Sequence, residues 1–282
     1  MTRKHNMIRS ALIATLLMGG SAHAAAPFSP ANQPLGYIGP VELSDTDLKE
    51  GSNAYRGWFE NGSWQGDLIE YTVSSSGSMT TSIDLTGLQP KQTGTENWSA
   101  HVVFAGQNAS YWNDDRKIIL GAGDGQTAFR WSQLTIAQRQ LIDPGAASNN
   151  ASSSMILDFL RGDQSNEYPQ GPGGLRQRFS IFGDVIHSNP EYVAAPSGGY
   201  FDTSYVNFVI TNSGRRPTVY VGANDGMLHA FDANDGSELW AYVPSMVVPN
   251  LIRLAGRPYA HTYFVDGGLT IQDAVVTGTW KT

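Results

Sequence analysis

The stretch VYVGANDGMLHAFDANDGSELWAYVP, Val219 to Pro244, constrains the fold more than any other. Three apolar runs, Val219–Gly222, Met227–Asp232 and Ser237–Val243, are separated by two Asn-Asp-Gly triplets, Asn224-Asp225-Gly226 and Asn234-Asp235-Gly236, and Pro244 ends the third. Asn, Asp and Gly tolerate the positive φ that tight hairpins demand, so the pattern predicts a three-stranded meander. Alternation puts Leu228 and Ala230 on one face of the middle strand and Met227 and Phe231 on the other. Both faces are apolar, whereas a free-standing hairpin would carry polar residues on one of them. The meander therefore needs a cover on each side.

Stacked, two-sided sheets repeated along a chain are what a β-propeller is made of, and a repeat should then be visible. WQGDLIEYTVSSSG, Trp64 to Gly77, runs parallel to the meander: Gly66 matches Gly226, Leu68 matches Leu228, Tyr71 matches Phe231, and Gly77 falls one residue later than Gly236. LGAGDGQTAFRW echoes VGANDGMLHAF but is one residue short before its Ala-Phe pair. The 31 glycines and the low charged content of 15% suit short strands with frequent turns. Further strand-like runs are Tyr55–Phe59, Asp67–Ser74, Met79–Asp84, Ser99–Ala105 and Lys117–Leu120. Two short helices are expected in an insertion over 135–174: Thr135–Ile142, stopped by Pro144 and Gly145, and Ser154–Arg161, with Ser154 as N-cap and Gly162 as stop. The loops GAASNNASSS and DQSNEYPQGPGG complete that insertion, the second expected to be mobile. The fold class expected is all-β, an incomplete propeller with two short helices.

The N-terminus reads as a secretory signal peptide over residues 1–24. Arg3, Lys4 and Arg9 form a basic region, Ala11–Met18 a short apolar run, and Ala22-His23-Ala24 a cleavage site. The run is too short to span a bilayer. With no cysteine in the chain, a lipid anchor and a disulfide framework are both excluded. Removing residues 1–24 shifts the net charge from −7 to −10. An acidic chain without a basic cluster is a poor partner for nucleic acid or anionic lipid, and no other segment is apolar over a membrane-spanning length. Residues 25–54 read as an extended lead-in to a propeller region over 55–282. The expected setting is a bacterial periplasm or cell surface.

The meander VGANDGMLHAFDANDGSELWAYVP resembles the quinoprotein-type propeller repeat. Its flanks, RFSIFGDVIHSNPEYVAAP and YAHTYFVDGGLTIQDAVV ending in WKT, together with WQGDLIEY, FRWSQLTIAQRQLI and FLRGD, resemble the propeller domain of type IV pilus biogenesis proteins of the PilC/PilY kind. That resemblance runs from about Tyr55 onward and is most specific in Phe179–Thr282. It implies a secreted, non-catalytic pilus assembly and tip-adhesin component that supports biogenesis, twitching and adhesion. It also implies pilins and minor pilins as partners at the pilus tip, host or abiotic surface ligands, and calcium as cofactor. Because the family's propeller continues past the point matched by Thr282, the chain reads as a truncated copy. Gly222, Asp225, Gly226, Phe231, Asp232, Gly236 and Trp240 are the residues of the blade signature.

The family's calcium site is an Asp-rich loop with EF-hand-like spacing, in which alternating oxygens converge on a hard cation. DANDGSE, with Asp232, Asn234 and Asp235, is the nearest approach, but Gly236 occupies the fifth position, where an oxygen is needed. A hairpin turn accounts for these residues better. In GDVIHSNP, Asp184, His187 and Ser188 lie close together, but a hydrolase triad converges from separate elements, neighbours on a strand point to opposite faces, and Ser188 lacks a Gly-x-Ser-x-Gly elbow. His101, His187, His229 and His261 show no i, i+2 or i, i+4 spacing for a metal. Asn61-Gly62-Ser63 is an acceptor triplet without meaning in a chain of bacterial character. Trp240 suits docking against a neighbouring blade better than stacking on a cofactor. Two other functions fit less well. A quinoprotein dehydrogenase would need a calcium-anchored quinone, a catalytic Asp and often a vicinal Cys pair, and an outer-membrane assembly scaffold is usually lipidated.

Overall fold

The computed structural model describes residues 42–44, 50–60, 62–86, 89–122 and 125–282. The signal-peptide reading over 1–24, most of the lead-in and Asn61 lie outside them. In chain order the elements are β1 (Glu42–Leu43), β2 (Asn53–Glu60), β3 (Gln65–Val73), β4 (Met79–Thr80), β5 (Ile83–Asp84), β6 (Lys91–Gln92), α1 (Ala100–Ala105), α2 (Tyr111–Asp114), β7 (Ile118–Ala122) and β8 (Gly125–Ala128). There follow a 3₁₀ turn at Trp131–Gln133, α3 (Ile136–Ile142), α4 (Pro144–Ser148), α5 (Met155–Arg161), β9 (Glu191–Val193), α6 (Thr203–Thr211), β10 (Thr218–Ala223), β11 (Met227–Asp232) and β12 (Glu238–Val243). A 3₁₀ segment over Ser245–Ala255 leads to β13 (Ala274–Val276) and β14 (Thr279–Lys281). The chain is strand-rich. Its main sheets are four-stranded, ordered β1-β2-β3-β4, and six-stranded, ordered β8-β7-β12-β11-β10-β9.

β10, β11 and β12 form the meander expected over Val219–Val243, with Val221 opposite His229 and His229 opposite Ala241. Gly226 (φ +93°) and Gly236 (φ +70°) supply the left-handed backbone of its two turns. A Cβ at Gly236 would lie 2.5 Å from the Trp98 ring, so close packing also excludes a side chain there. One face of the meander, with Val219, Val221, Phe231, Ala241 and Val243, is buried in two cores. The opposite face, with Tyr220, Leu228 and Trp240, is only half-covered, and Trp240 packs its ring 5.8 Å from Tyr220. The sheet also departs from a purely antiparallel blade, because β7 joins β12 in parallel. Closure into a ring is not seen among the described residues.

The repeat is real at the level of sheets and displaced at the level of glycines. β2, β3 and β4 make a second antiparallel meander, but Gly66 lies inside β3, not in a turn as Gly226 does. A Cβ on Gly66 would clash with the Gly183 carbonyl and the Asp184 backbone, so this glycine admits a neighbouring segment. Leu68 is fully buried where its match Leu228 is half-exposed.

Four expectations need correction. Ser99–Ala105 is helix, not strand: Ser99 caps Val102 N, and buried Asp67 holds the first turn from β3. Met79–Asp84 divides into β4, paired with β3, and β5, paired with β6. α3 stops at Ile142 ahead of Pro144 as expected, but the expected loop GAASNNASSS begins as helix: Asp143 is the N-cap of α4 and Pro144 its first residue, where the missing N–H costs nothing. The described residues hold six α-helices, not two, because four short ones, α1, α2, α4 and α6, lie in β-branched, aromatic or low-complexity sequence. The two expected helices are present as α3, with a full Thr135–Gln138 capping box, and α5, capped by Ser154.

Candidate functional site

Two clusters of ionisable side chains lie beside the meander. The first is inside. A bulge between Ala230 and Phe231 shifts the register of β12, so Glu238 faces the same side as Phe231 and His229. Glu238 there receives Arg116 through two bonds, Nε to Oε2 at 2.7 Å and Nη2 to Oε1 at 2.9 Å. His229 Nδ1 lies 2.8 Å from Glu238 Oε1, and its Nε2 lies 3.1 Å from Asp225 Oδ1. Asp225 in turn accepts the Gly183 and Met227 amides. Burial alone would lower His229, but Asp225 and Glu238 outweigh it and hold the imidazole up at about 9. Burial alone would raise Glu238, but Arg116 and His229 bring it down to about 2. The result is a chain of alternating charges in which Arg116, Glu238 and His229 are buried and only Asp225 reaches the surface, an arrangement suited to holding a fold.

Arg161, from the FLRGD run, belongs to the same interior. It is 2% exposed, and its guanidinium donates to the carbonyls of Phe129, Trp112 and Arg116.

The second cluster lies where the segment 183–188 meets the irregular segment 257–272. Asp184, His187 and Ser188 do not form a triad. Asp184 Oδ2 pairs with His261 Nε2 at 2.8 Å, His187 Nδ1 pairs with Asp266 Oδ2 at 2.5 Å, and Ser188 Oγ accepts the Gly222 amide at 2.9 Å. Asn224 Nδ2 donates to Asp184 Oδ2 and Asp266 Oδ1, while its Oδ1 accepts the Phe264 amide. Trp64 stacks on His261 at 3.8 Å and carries the segment's inner edge. Each His and Asp has a fixed partner, so the cluster pins 257–272 onto the sheet. His101 is separate and buried, and burial lowers its pKa.

The calcium candidates do not fit the ion. Asp232 Oδ1 is occupied by Asn234 N and Nδ2, and Oδ2 by Arg216 at 3.2 Å. Asp235 Oδ1 accepts the Ser237 amide. These oxygens close a turn and do not converge, and among the described residues no group of three or more His, Asp or Glu could hold a metal ion. The remaining signature residues sit in the same framework. Gly222 lies under the Val265 carbonyl, and Phe231 is fully buried against Trp98, Phe104 and Phe182.

Sequence reasoning missed Arg116, Glu238, Asp67, Asp266 and His261 as members of clusters. Asp67 is fully buried in β3 and receives Ser99 Oγ at 2.5 Å, with the His101 and Leu68 amides at 2.8 Å. Burial pushes it up to about 7 against the pull of those donors. No local signal marks such residues, since their partners are distant in sequence.

Comparison with known proteins agrees with this framework. The family model for the PilY1 beta-propeller domain matches residues 182–282, the stretch that holds the meander and the pinned segment. Those residues belong to the PilY1 β-propeller family. Similarity to PilY1 proteins extends well upstream of that stretch. The chain is 37% identical over 233 residues to a type IV pilus biogenesis factor PilY1 homolog of Xylella fastidiosa, covering 80% of this chain and 16% of that protein. It is 32% identical over 274 residues to the type IV pilus biogenesis factor PilY1 of Pseudomonas aeruginosa strain PAK, covering 90% of this chain and 22% of that one. The chain thus spans about a fifth or less of these PilY1 relatives. No solved structure matches it. Among the described residues no helix is long and apolar enough to cross a membrane.

Proposed function

We propose that this chain works as a non-catalytic component of type IV pilus biogenesis, exported to the periplasm and cell surface. It contacts pilins and minor pilins at the pilus tip and supports adhesion and twitching. The observation that carries the reading is the similarity to two PilY1 proteins over 80% and 90% of the chain. The site geometry is in keeping with it: Arg116, Glu238 and His229 pair with one another, and the three residues of GDVIHSNP most like a triad bond elsewhere. Calcium, which the resemblance implies, would have to be held outside Asp232, Asn234 and Asp235.

The test is location. Pili sheared from cells expressing an epitope-tagged chain should carry the tag, enriched over a periplasmic marker. A tag confined to the cell body while pili are abundant would refute the tip assignment. The dehydrogenase alternative is tested by adding calcium and a quinone cofactor in a dye-linked alcohol assay, where no turnover is expected.

A further inference from the structure

A concave pocket of about 360 Å³ lies between the α1–α2 corner and the loop after α5. Phe104, Tyr111 and Trp112 bring three aromatic rings to it; Phe104 is buried, and Tyr111 and Trp112 are half-exposed. Asn108, Asp163 and Gln164 bring two amides and a carboxylate. Gly162 forms the seam between the two sides. Its φ of +120° excludes most side chains, and a Cβ there would press on Ile181 at 3.0 Å and on Trp112 and Arg116 at 3.4 Å. The pocket adjoins the first polar cluster through Phe104, whose ring lies 5.1 Å from the Arg116 guanidinium, but none of the paired residues of either cluster lines it.

From this lining we infer a binding site for a neutral saccharide. The argument proceeds by chemistry. Pockets of a few hundred Å³ with aromatic walls and a few polar groups are the usual form of small-molecule sites. A purely apolar ligand would desolvate the amides and the carboxylate without replacing their water. An anion would lack a counter-charge, since Arg116 is committed to Glu238 and the Arg161 carbonyl and the pocket's own charge is Asp163. A pyranose ring meets both demands: its C–H face lies on an aromatic ring, and its hydroxyls donate to a carboxylate or pair with amides. Spare capacity is present. Trp112 Nε1 and Asn108 Nδ2 make no hydrogen bond among the described residues. Asp163 is held open by its own turn, Oδ1 accepting the Ser165 amide and Oδ2 the Ser165 hydroxyl. Gln164 is anchored through Nε2 to the Arg178 carbonyl, which leaves Oε1 to accept. This inference follows from the pocket and does not depend on the pilus reading.

Saturation-transfer NMR on the full chain with the methyl glycosides of mannose, galactose and N-acetylglucosamine tests it, with choline and free lysine as cationic controls. At least one glycoside should show transfer, and Trp112→Ala should weaken its binding about tenfold or more. Since Trp112 also packs the fold, the exposed Gln164→Ala change is the second variant, expected to weaken binding several-fold with an unchanged melting temperature. Transfer to none of the three glycosides, binding unaltered in Gln164→Ala and Trp112→Ala, or transfer only to choline or lysine would each overturn the assignment.

Discussion

Glu238 Oε1 sits 2.8 Å from His229 Nδ1 and 2.9 Å from Arg116 Nη2, and none of the three side chains reaches solvent. One carboxylate thus balances two cations beneath the meander. Glu238→Gln keeps the shape and removes the charge, leaving Arg116 and His229 buried against Asp225 alone. The variant should lose about 3–5 kcal/mol of unfolding free energy, the range found when one partner of a buried ion pair is removed. Urea unfolding followed by tryptophan fluorescence measures it; a loss below about 1 kcal/mol would show that the pairing does not hold the sheet.

The same group predicts an alkaline slope. His229 is raised from 6.5 to about 9, so the folded chain binds a proton there that the unfolded chain releases. Its contribution is complete below about pH 6.5 and is lost as pH climbs through 9. At the acid end Glu238, lowered to about 2, contributes fully above about pH 4.5 and loses that contribution as pH falls through 2. Urea midpoints should therefore drop between pH 6.5 and 9 in the wild type; in His229→Gln the drop should end near pH 8, where Asp67 and Glu70, both raised to about 7, finish titrating, and the midpoints should stay level from there to pH 9.

Two glycines with opposite surroundings test the close approach of β3 to the 183–184 segment. Gly66→Ala places a methyl group against the Gly183 carbonyl and the Asp184 backbone, neither of which can yield cheaply. It should cost about 3 kcal/mol or more. Gly125→Ala has nothing within 4 Å of its new carbon and no positive φ, so its melting temperature should stay at or above that of the wild type.

Asp67 ties α1 to β3. Asp67→Ala strands the His101 amide and the Ser99 hydroxyl in the core, with an expected loss of about 2–3 kcal/mol. Hydrogen exchange should show α1 opening more readily than α5, whose cap is untouched.

What was legible in the sequence was local. The meander declared itself through period-two apolar runs and the glycines at 226 and 236, and α3 and α5 through Thr135 and Ser154 one residue ahead of an apolar-periodic run. What was hidden depends on distance. The α1 run, rich in valine, reads as strand, and its helical first turn is secured by Asp67 from 32 residues upstream of Ser99. Arg116 and Glu238 are 122 residues apart, and Asp184 and His261 are 77 apart. The bulge that turns Glu238 inward leaves no composition signal. The glycine match between 66 and 226 shows the same limit: both positions demand glycine, one for close approach and the other for its backbone angle.

The pilus assignment is tested most directly by counting surface pili by electron microscopy in a strain lacking the gene and in that strain complemented with it. The account predicts few or no pili without the gene and recovery with it, with twitching zones following the pili. Wild-type piliation and twitching in the deletion strain would contradict it.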